Sequence, residues 1–286
     1  MASSLVREPD WYEPESVDEA LRLRSELGPS ALVVAGGTFI GILVGQRLIR
    51  PEAFIYLGRI PGLDLIEDDE ELRVGAMVRH RAVEQSGVVK AGWEALARTF
   101  AVVASPRVRN QATVGGALCD ADYASDPPAM FVALGARAIL VSRRGSREVT
   151  VEDFITGHYS TQLKDDELLT QVVVPRPPAR TTYIKFRSRS HADRPCVAVA
   201  VAADLEPDET CRGLRVVAGA VADRPQLLRD ACDLARGRRL DGRVAEAIGR
   251  AYAEGVEPLS DVRGSADYRR RVLGVVVRRA LEEVAG

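Results

Sequence analysis

Lysine is nearly absent from this chain. Lys90, Lys164 and Lys185 are the only lysines among 39 basic residues, and the rest are arginine. A lysine inside a motif therefore stands out. The net charge is -2, so no basic excess suits nucleic acid or an anionic membrane. The four cysteines, Cys119, Cys196, Cys211 and Cys232, form no C-x-x-C pair. That argues against a zinc or iron–sulfur site in the chain, and they read as reduced, cytosolic thiols. His80, His158 and His191 share no metal-like spacing, so each reads as structural or surface-exposed. No G-x-G-x-x-G occurs, no lysine follows a glycine, and no G-x-S-x-G is present. A Rossmann site, a P-loop and a serine-hydrolase elbow are all unsupported. Residues 1–16 are polar and acidic, without a signal-peptide core. Residues 27–46 carry no charge, but Pro29 and five glycines interrupt them. They read as strand, turn and helix start, not as a membrane span.

What is present is a pair of glycine turns. The first, Ala35-Gly36-Gly37-Thr38, follows the apolar run at 31–34. The second is Thr113-Val114-Gly115-Gly116, with Asp126 ten residues further on. A strand that ends in small residues exposes backbone N–H groups with no side chain in the way, which suits a phosphate. Two such turns could hold the two ends of one diphosphate. Either alone reads more simply as a tight turn.

At 286 residues the chain has room for two or three compact units. Ser16 and Glu19 fit a capping box opening an apolar-striped helix. Strands are expected at 31–34, 53–57 and 72–77, and helices at 40–49, 93–103 and 127–134. The helix from Ile40 would point its N-terminus at the first turn. Ser105-Pro106 is expected to end the helix before it. A hairpin spans 137–151, and a strand at 167–174 runs into Pro175-Arg176-Pro177-Pro178, the expected domain boundary. Strands at 181–188, 196–205 and 214–221 then precede helices at 229–236, 243–254 and 266–284, a separate α+β unit.

Asp126 reads either as a helix cap before Pro127-Pro128 or as an acceptor for sugar or ribityl hydroxyls. Lys185 alternates with Tyr183, Arg187 and Arg189 on one strand face. A solvated face is the simple reading; a cation beside a flavin ring, raising its potential, is the functional one.

Taken in order, these segments resemble the FAD-binding, medium subunit of the molybdenum hydroxylases, the family of carbon monoxide dehydrogenase and of the flavin domain of xanthine dehydrogenase. The resemblance runs from Tyr12-Glu13-Pro14 through the first glycine turn, residues 57–63, Val74-Gly75-Ala76 and His80. It is strongest across 105–116 and continues through Asp126-Pro127-Pro128, Leu134-Gly135-Ala136, Glu167-Leu168-Leu169 and 183–186.

The resemblance implies an α+β fold: a two-subdomain FAD-binding domain of the vanillyl-alcohol-oxidase/PCMH kind over 1–178 (1–60 and 61–178). A C-terminal α+β domain over 179–286 follows, with a three-stranded antiparallel sheet. It implies that Ala35, Gly36, Gly37, Thr38, Phe39, Ile40 and Gly41 wrap the FAD pyrophosphate. Thr113, Gly115 and Gly116 form a second wall, and Asp126, with Asp120 as a weaker candidate, meets sugar or ribityl hydroxyls. Leu168 and Lys185 approach the flavin or adenine, and Ala104 offers a backbone contact. Gly36→Val or Gly116→Val is then expected to abolish FAD binding by blocking the pyrophosphate. Departures are Phe39, where many relatives have a polar or acidic residue, Val103 in place of an aromatic, and Tyr123 at a position often small or proline. No catalytic or metal-ligating residue is assigned.

The implied function is electron transfer: [2Fe-2S] clusters of a small subunit pass electrons to FAD here. Substrate is hydroxylated on a large molybdopterin subunit, in a cytoplasmic dimer of heterotrimers. The terminal acceptor is NAD⁺, oxygen, a quinone or another carrier. Two alternatives stay open on the residues: a stand-alone FAD oxidase or dehydrogenase, and a flavin-free bridging subunit.

Overall fold

The computed structural model describes residues 8–190 and 192–286. His191 and residues 1–7 of the N-terminal segment lie outside the described residues.

The chain begins with a small parallel sheet. β1 (Asp10–Tyr12), α1 (Val17–Leu27), β2 (Ala31–Val34), α2 (Ile40–Gly45) and β3 (Ala53–Tyr56) follow in order, and the strands lie in the order β1-β3-β2. Ser16 caps α1 as expected, its Oγ accepting from the Glu19 N–H at 3.1 Å. The Glu19 carboxylate accepts from the Glu15 N–H at 2.9 Å, so the box closes one residue further out than its usual pattern. α2 is shorter than the expected 40–49. Arg47 adopts a φ of 58°, the Arg47 N–H bonds to the Val44 carbonyl at 2.9 Å, and the Leu48 N–H bonds to the Leu43 carbonyl at 2.8 Å. This is a Schellman closure, made here with arginine where glycine is usual.

The second unit is an antiparallel sheet, β4-β5-β10-β6-β7, backed by helices. In chain order it holds β4 (Ile66–Asp68), β5 (Leu72–Gly75), α3 (His80–Gln85), α4 (Gly87–Gly92), α5 (Glu94–Ala101), α6 (Pro106–Arg109), α7 (Val114–Asp120) and α8 (Pro127–Ala133). β6 (Arg137–Ser142), β7 (Gly145–Thr150), α9 (Val151–Phe154), the small hairpin β8 (Ile155–Gly157) and β9 (Ser160–Thr161), and β10 (Leu168–Val174) complete it. Trp93, Leu96, Phe100, Leu118, Met130 and Phe131 fill its core. The buried Trp93 still satisfies its indole, which donates to the Pro175 carbonyl at 2.8 Å. Two local expectations change here. Ser105 does not simply end a helix; it caps the next one, α6, and Pro106 takes the first helical position. The second glycine segment is not a turn but the first turn of α7, capped by Thr113.

Beyond the proline cluster, β11 (Arg180–Phe186), β12 (Val197–Leu205), β13 (Cys211–Gly219) and β14 (Gln226–Leu227) form an antiparallel sheet. It has four strands where three were expected; the fourth is a two-residue edge pairing, too short to leave a pattern in the sequence. α10 (Arg229–Asp233), α11 (Gly242–Gly255) and α12 (Ala266–Ala285) follow. β12 is apolar at nearly every position because both its faces are covered. Val197, Val199 and Val201 belong to the core shared with α11 and α12, while Ala200 and Ala202 join the core that holds α8. That second contact seats the C-terminal sheet on α8 of the preceding unit. No helix among the described residues is long and apolar enough to cross a membrane.

Candidate cofactor site

The two glycine segments, far apart in sequence, touch. A Cβ placed on Gly36 would lie 2.1 Å from the Gln111 carbonyl oxygen, and one on Gly116 would lie 3.8 Å from the Ala35 Cβ. Between them opens a cavity of about 250 Å³ lined by Ala35, Gly36, Gly37, Gln111 and Thr113, with Trp11, Tyr56, Met77 and Arg79 on its other sides.

The first segment leaves the end of β2 with its donors uncommitted. Among the described residues, no protein acceptor is found for the N–H groups of Gly36, Gly37, Thr38 and Phe39. Gly37 has a φ of 68°, which turns successive N–H groups toward one concavity. Ile40 opens α2, whose N-terminal end adds to the same field. Gly41 differs: its N–H bonds to the Gly37 carbonyl at 2.9 Å and closes the turn.

The second segment is the reverse, with its donors spent inside the protein. The Val114 N–H bonds to the Val78 carbonyl at 2.9 Å and the Gly115 N–H to the Ala76 carbonyl at 2.8 Å. The Gly116 N–H reaches Thr113 Oγ1 at 3.2 Å. Gly115 also packs closely: a Cβ there would lie 2.6 Å from the Ala76 Cβ. The same stretch is laced to residues 76–80. His80 donates from its backbone to the Ala112 carbonyl at 2.9 Å and from Nε2 to the Thr113 carbonyl at 3.1 Å. An amide carbonyl only accepts, so Nε2 carries the proton. Burial holds the His80 imidazole down to a pKa of about 4, opposed by its bond to Thr113.

Arg79 also lines the cavity, and the sequence reading did not single it out. Its guanidinium donates to the Asn110 carbonyl and, at 2.9 Å, to Gln111 Oε1, placing a cation on the cavity wall. The signal was available, since Arg79 directly precedes the His80 already noted.

The remaining expected residues are not among those that line this cavity. Asp126 starts α8 with helical dihedrals and no capping bond, so the cap reading is set aside. Its carboxylate accepts from the Tyr183 hydroxyl at 2.7 Å and pairs with the Lys185 ammonium at 2.9 Å. Lys185 also donates to the Val102 carbonyl at 2.8 Å, and its side chain is 2% exposed. The solvated-face reading of Lys185 is thereby corrected. Burial pushes the Asp126 carboxyl up, and the neighbouring Lys185 ammonium opposes this. Arg109, paired with Glu84 at 2.8 Å, donates to the Val103 and Ala104 carbonyls. Ala104 is thus held at a φ of 41°, a left-handed conformation that few non-glycine residues adopt. Leu168 is buried in one cluster with Met77 and Ile60, behind the cavity's apolar wall. Asp120 ends α7 outside the cavity lining, its carboxyl pushed up to about 7 by burial and by Asp122, with Arg194 opposing.

A larger depression of about 510 Å³ lies between the Pro177-Pro178 linker and β13. It is remote from both glycine segments, and its Arg212, Arg215 and Arg236 already pair with carboxylates of the chain. The smaller cavity is the one that brings the sequence motifs together.

Residues 6–177 match the model of the FAD binding domain in molybdopterin dehydrogenase, and residues 182–284 that of the CO dehydrogenase flavoprotein C-terminal domain. The chain belongs to the FAD-binding subunits of the molybdenum hydroxylases. It is 32% identical over 274 residues to the nicotine 6-hydroxylase medium subunit of Paenarthrobacter nicotinovorans, covering 96% of each chain. It is 31% identical to the carbon monoxide dehydrogenase medium chain of Afipia carboxidovorans, over 96% of this chain and 95% of that one. A solved carbon monoxide dehydrogenase from Hydrogenophaga pseudoflava superposes with a TM-score of 0.93 at 30% identity, covering 97% of both chains. Quinoline 2-oxidoreductase from Pseudomonas putida 86 gives 0.92 at 30%, covering 98% of this chain and 97% of that one. The flavoprotein architecture that the resemblance implied is the one observed, in a family of oxidoreductase subunits.

Proposed function

We propose that this chain is the electron-transfer flavoprotein subunit of a molybdenum-containing hydroxylase or dehydrogenase. The observation that carries the reading is the row of four uncommitted N–H groups at Gly36 to Phe39, folded around Gly37 and set beside a cavity with Arg79 on its wall. A dinucleotide diphosphate is the anion such a cradle suits. In this reading Gly36 to Phe39 hold the pyrophosphate, with Ala35, Ile40 and Gly41 shaping the strand-to-helix passage around them. Thr113 and Gly116 bring the second wall close, and Gly115 packs it. Leu168 and Ala104 lie toward the ring end, where Lys185 and Asp126 fix the inner wall. Asp120 keeps its place as a weaker contact. When bound, FAD supplies the redox chemistry; the chain's residues bind it, orient it and limit its solvent.

The partners in this reading are a small subunit with two [2Fe-2S] clusters and a large molybdopterin subunit, arranged as a dimer of heterotrimers. Electrons leave to a terminal acceptor such as NAD⁺, oxygen or a quinone. The division of the chain at the proline cluster, into 1–178 and 179–286, and a cytoplasmic location belong to the same proposal. The test is the visible spectrum of the chain after incubation with FAD and desalting, then of the co-expressed assembly. Stoichiometric bands near about 370 and 450 nm, as flavins show, support the reading. A colourless assembly with all subunits present overturns it in favour of a bridging role.

A further inference from the structure

We propose that the His158-Tyr159 turn is a third wall of the anion cradle, with Tyr159 and Phe39 forming an aromatic cover across it. This inference rests on the cradle being the cofactor's phosphate site. Phe39 contributes one of the uncommitted N–H groups, and its ring stacks on Tyr159 with centroids 5.2 Å apart and planes 28° apart. The His158 ring lies 3.8 Å beyond Tyr159, and Tyr123 lies 4.9 Å beyond that. Phe39 and Tyr123, the two aromatic departures noted in the sequence, thus belong to one aromatic cluster, with Tyr123 set edge-on to His158.

The backbone is strained where the stack needs it. Tyr159 has a φ of 57°, a costly conformation for a residue with a Cβ. It is held there by its N–H, which bonds to the Ala121 carbonyl at 3.0 Å. Ala121 is itself left-handed, at a φ of 47°, and closes α7. The helix that presents the second glycine segment at its start therefore anchors the cover at its end. From the C-terminal unit, Arg194 pairs with the buried Asp122 at 2.5 Å, and both charges act on the Tyr159 phenol. Tyr159 nevertheless remains 50% exposed, so burial of its own surface does not account for its placement. An aromatic cover displaces water from the N–H donors beneath it, and hydrogen bonds to an anion strengthen as the local dielectric falls.

The test uses the full-length chain loaded with FAD. Release is followed as the rise in fluorescence of free FAD after dilution, and the melting temperature of the empty chain is measured alongside. Tyr159→Asn removes the ring but tolerates the left-handed backbone; Phe39→Ala removes the other half of the stack; Tyr159→Phe keeps the ring. The first two are expected to speed release by about tenfold, the scale of one hydrogen bond lost to water, beyond any change that the empty chain's melting temperature accounts for. Tyr159→Phe should stay near the wild-type rate. Wild-type release rates in both Tyr159→Asn and Phe39→Ala overturn the cover while leaving the flavoprotein assignment intact. Failure of the wild type to hold FAD, alone or assembled, overturns both.

Discussion

Gly36 lies against the backbone of Gln111, with no room for a single added carbon: its Cβ would fall 2.1 Å from the Gln111 carbonyl oxygen. The sequence suggested that a side chain at Gly36 would block a phosphate. The structure shows that it collides with the protein first. Gly36→Ala is therefore expected to lower stability by about 1–3 kcal/mol, the usual cost of overpacking. It should also separate the two glycine segments and weaken FAD binding. Urea denaturation of the empty chain checks the first effect; if its midpoint is unchanged, the contact is not the constraint.

His80 gives a pH dependence with a definite sign. Its pKa is about 4 in the folded chain and near 6.5 when unfolded. The unfolded state binds more protons between these values, so the associated stability is fully present above 6.5 and is lost as the pH falls toward 4. The magnitude is on the order of 3 kcal/mol. His80→Gln keeps an N–H donor for the Thr113 carbonyl but does not titrate. Its denaturation midpoint should fall less steeply than the wild type's over that window.

Lys185 and Asp126 form a buried pair whose halves depend on each other. Lys185→Met leaves a buried carboxylate uncompensated and is expected to cost about 3–5 kcal/mol. Adding Asp126→Asn should recover most of that loss, because the uncompensated charge is gone. A double-mutant cycle on denaturation midpoints reads the coupling, and additive effects would mean that the pair is not a unit.

Asp120 acts in the opposite sense to His80. Its carboxyl is raised to about 7 from an ordinary 3.8. The folded chain binds the extra proton between these values, so the contribution is fully present below 3.8 and is lost as the pH rises through 7. Asp120→Asn should therefore gain stability relative to the wild type between about pH 5 and pH 8. A constant difference across that range would place the titration elsewhere.

Much of the fold was legible because the chain punctuates it with small residues and prolines. Pro127-Pro128, the hairpin glycine Gly145 and the long amphipathic helices announced themselves. Local chemistry with two readings was less legible. Thr113-Val114-Gly115-Gly116 looks like a turn, but a threonine cap makes it a helix start. Asp126 before two prolines looks like a cap, yet its partners, Tyr183 and Lys185, come from a strand more than fifty residues later. Tyr159 carried no signal at all, because only its contact with Phe39 and its backbone angle distinguish it from a surface tyrosine.

The two glycine segments finish folding in different conditions. The one at Thr113 has spent its N–H groups on Ala76, Val78 and its own cap, so its shape owes nothing to a guest. The one at Gly36 leaves four N–H groups without a protein acceptor among the described residues, so an anion seated there adds bonds without breaking any within the protein.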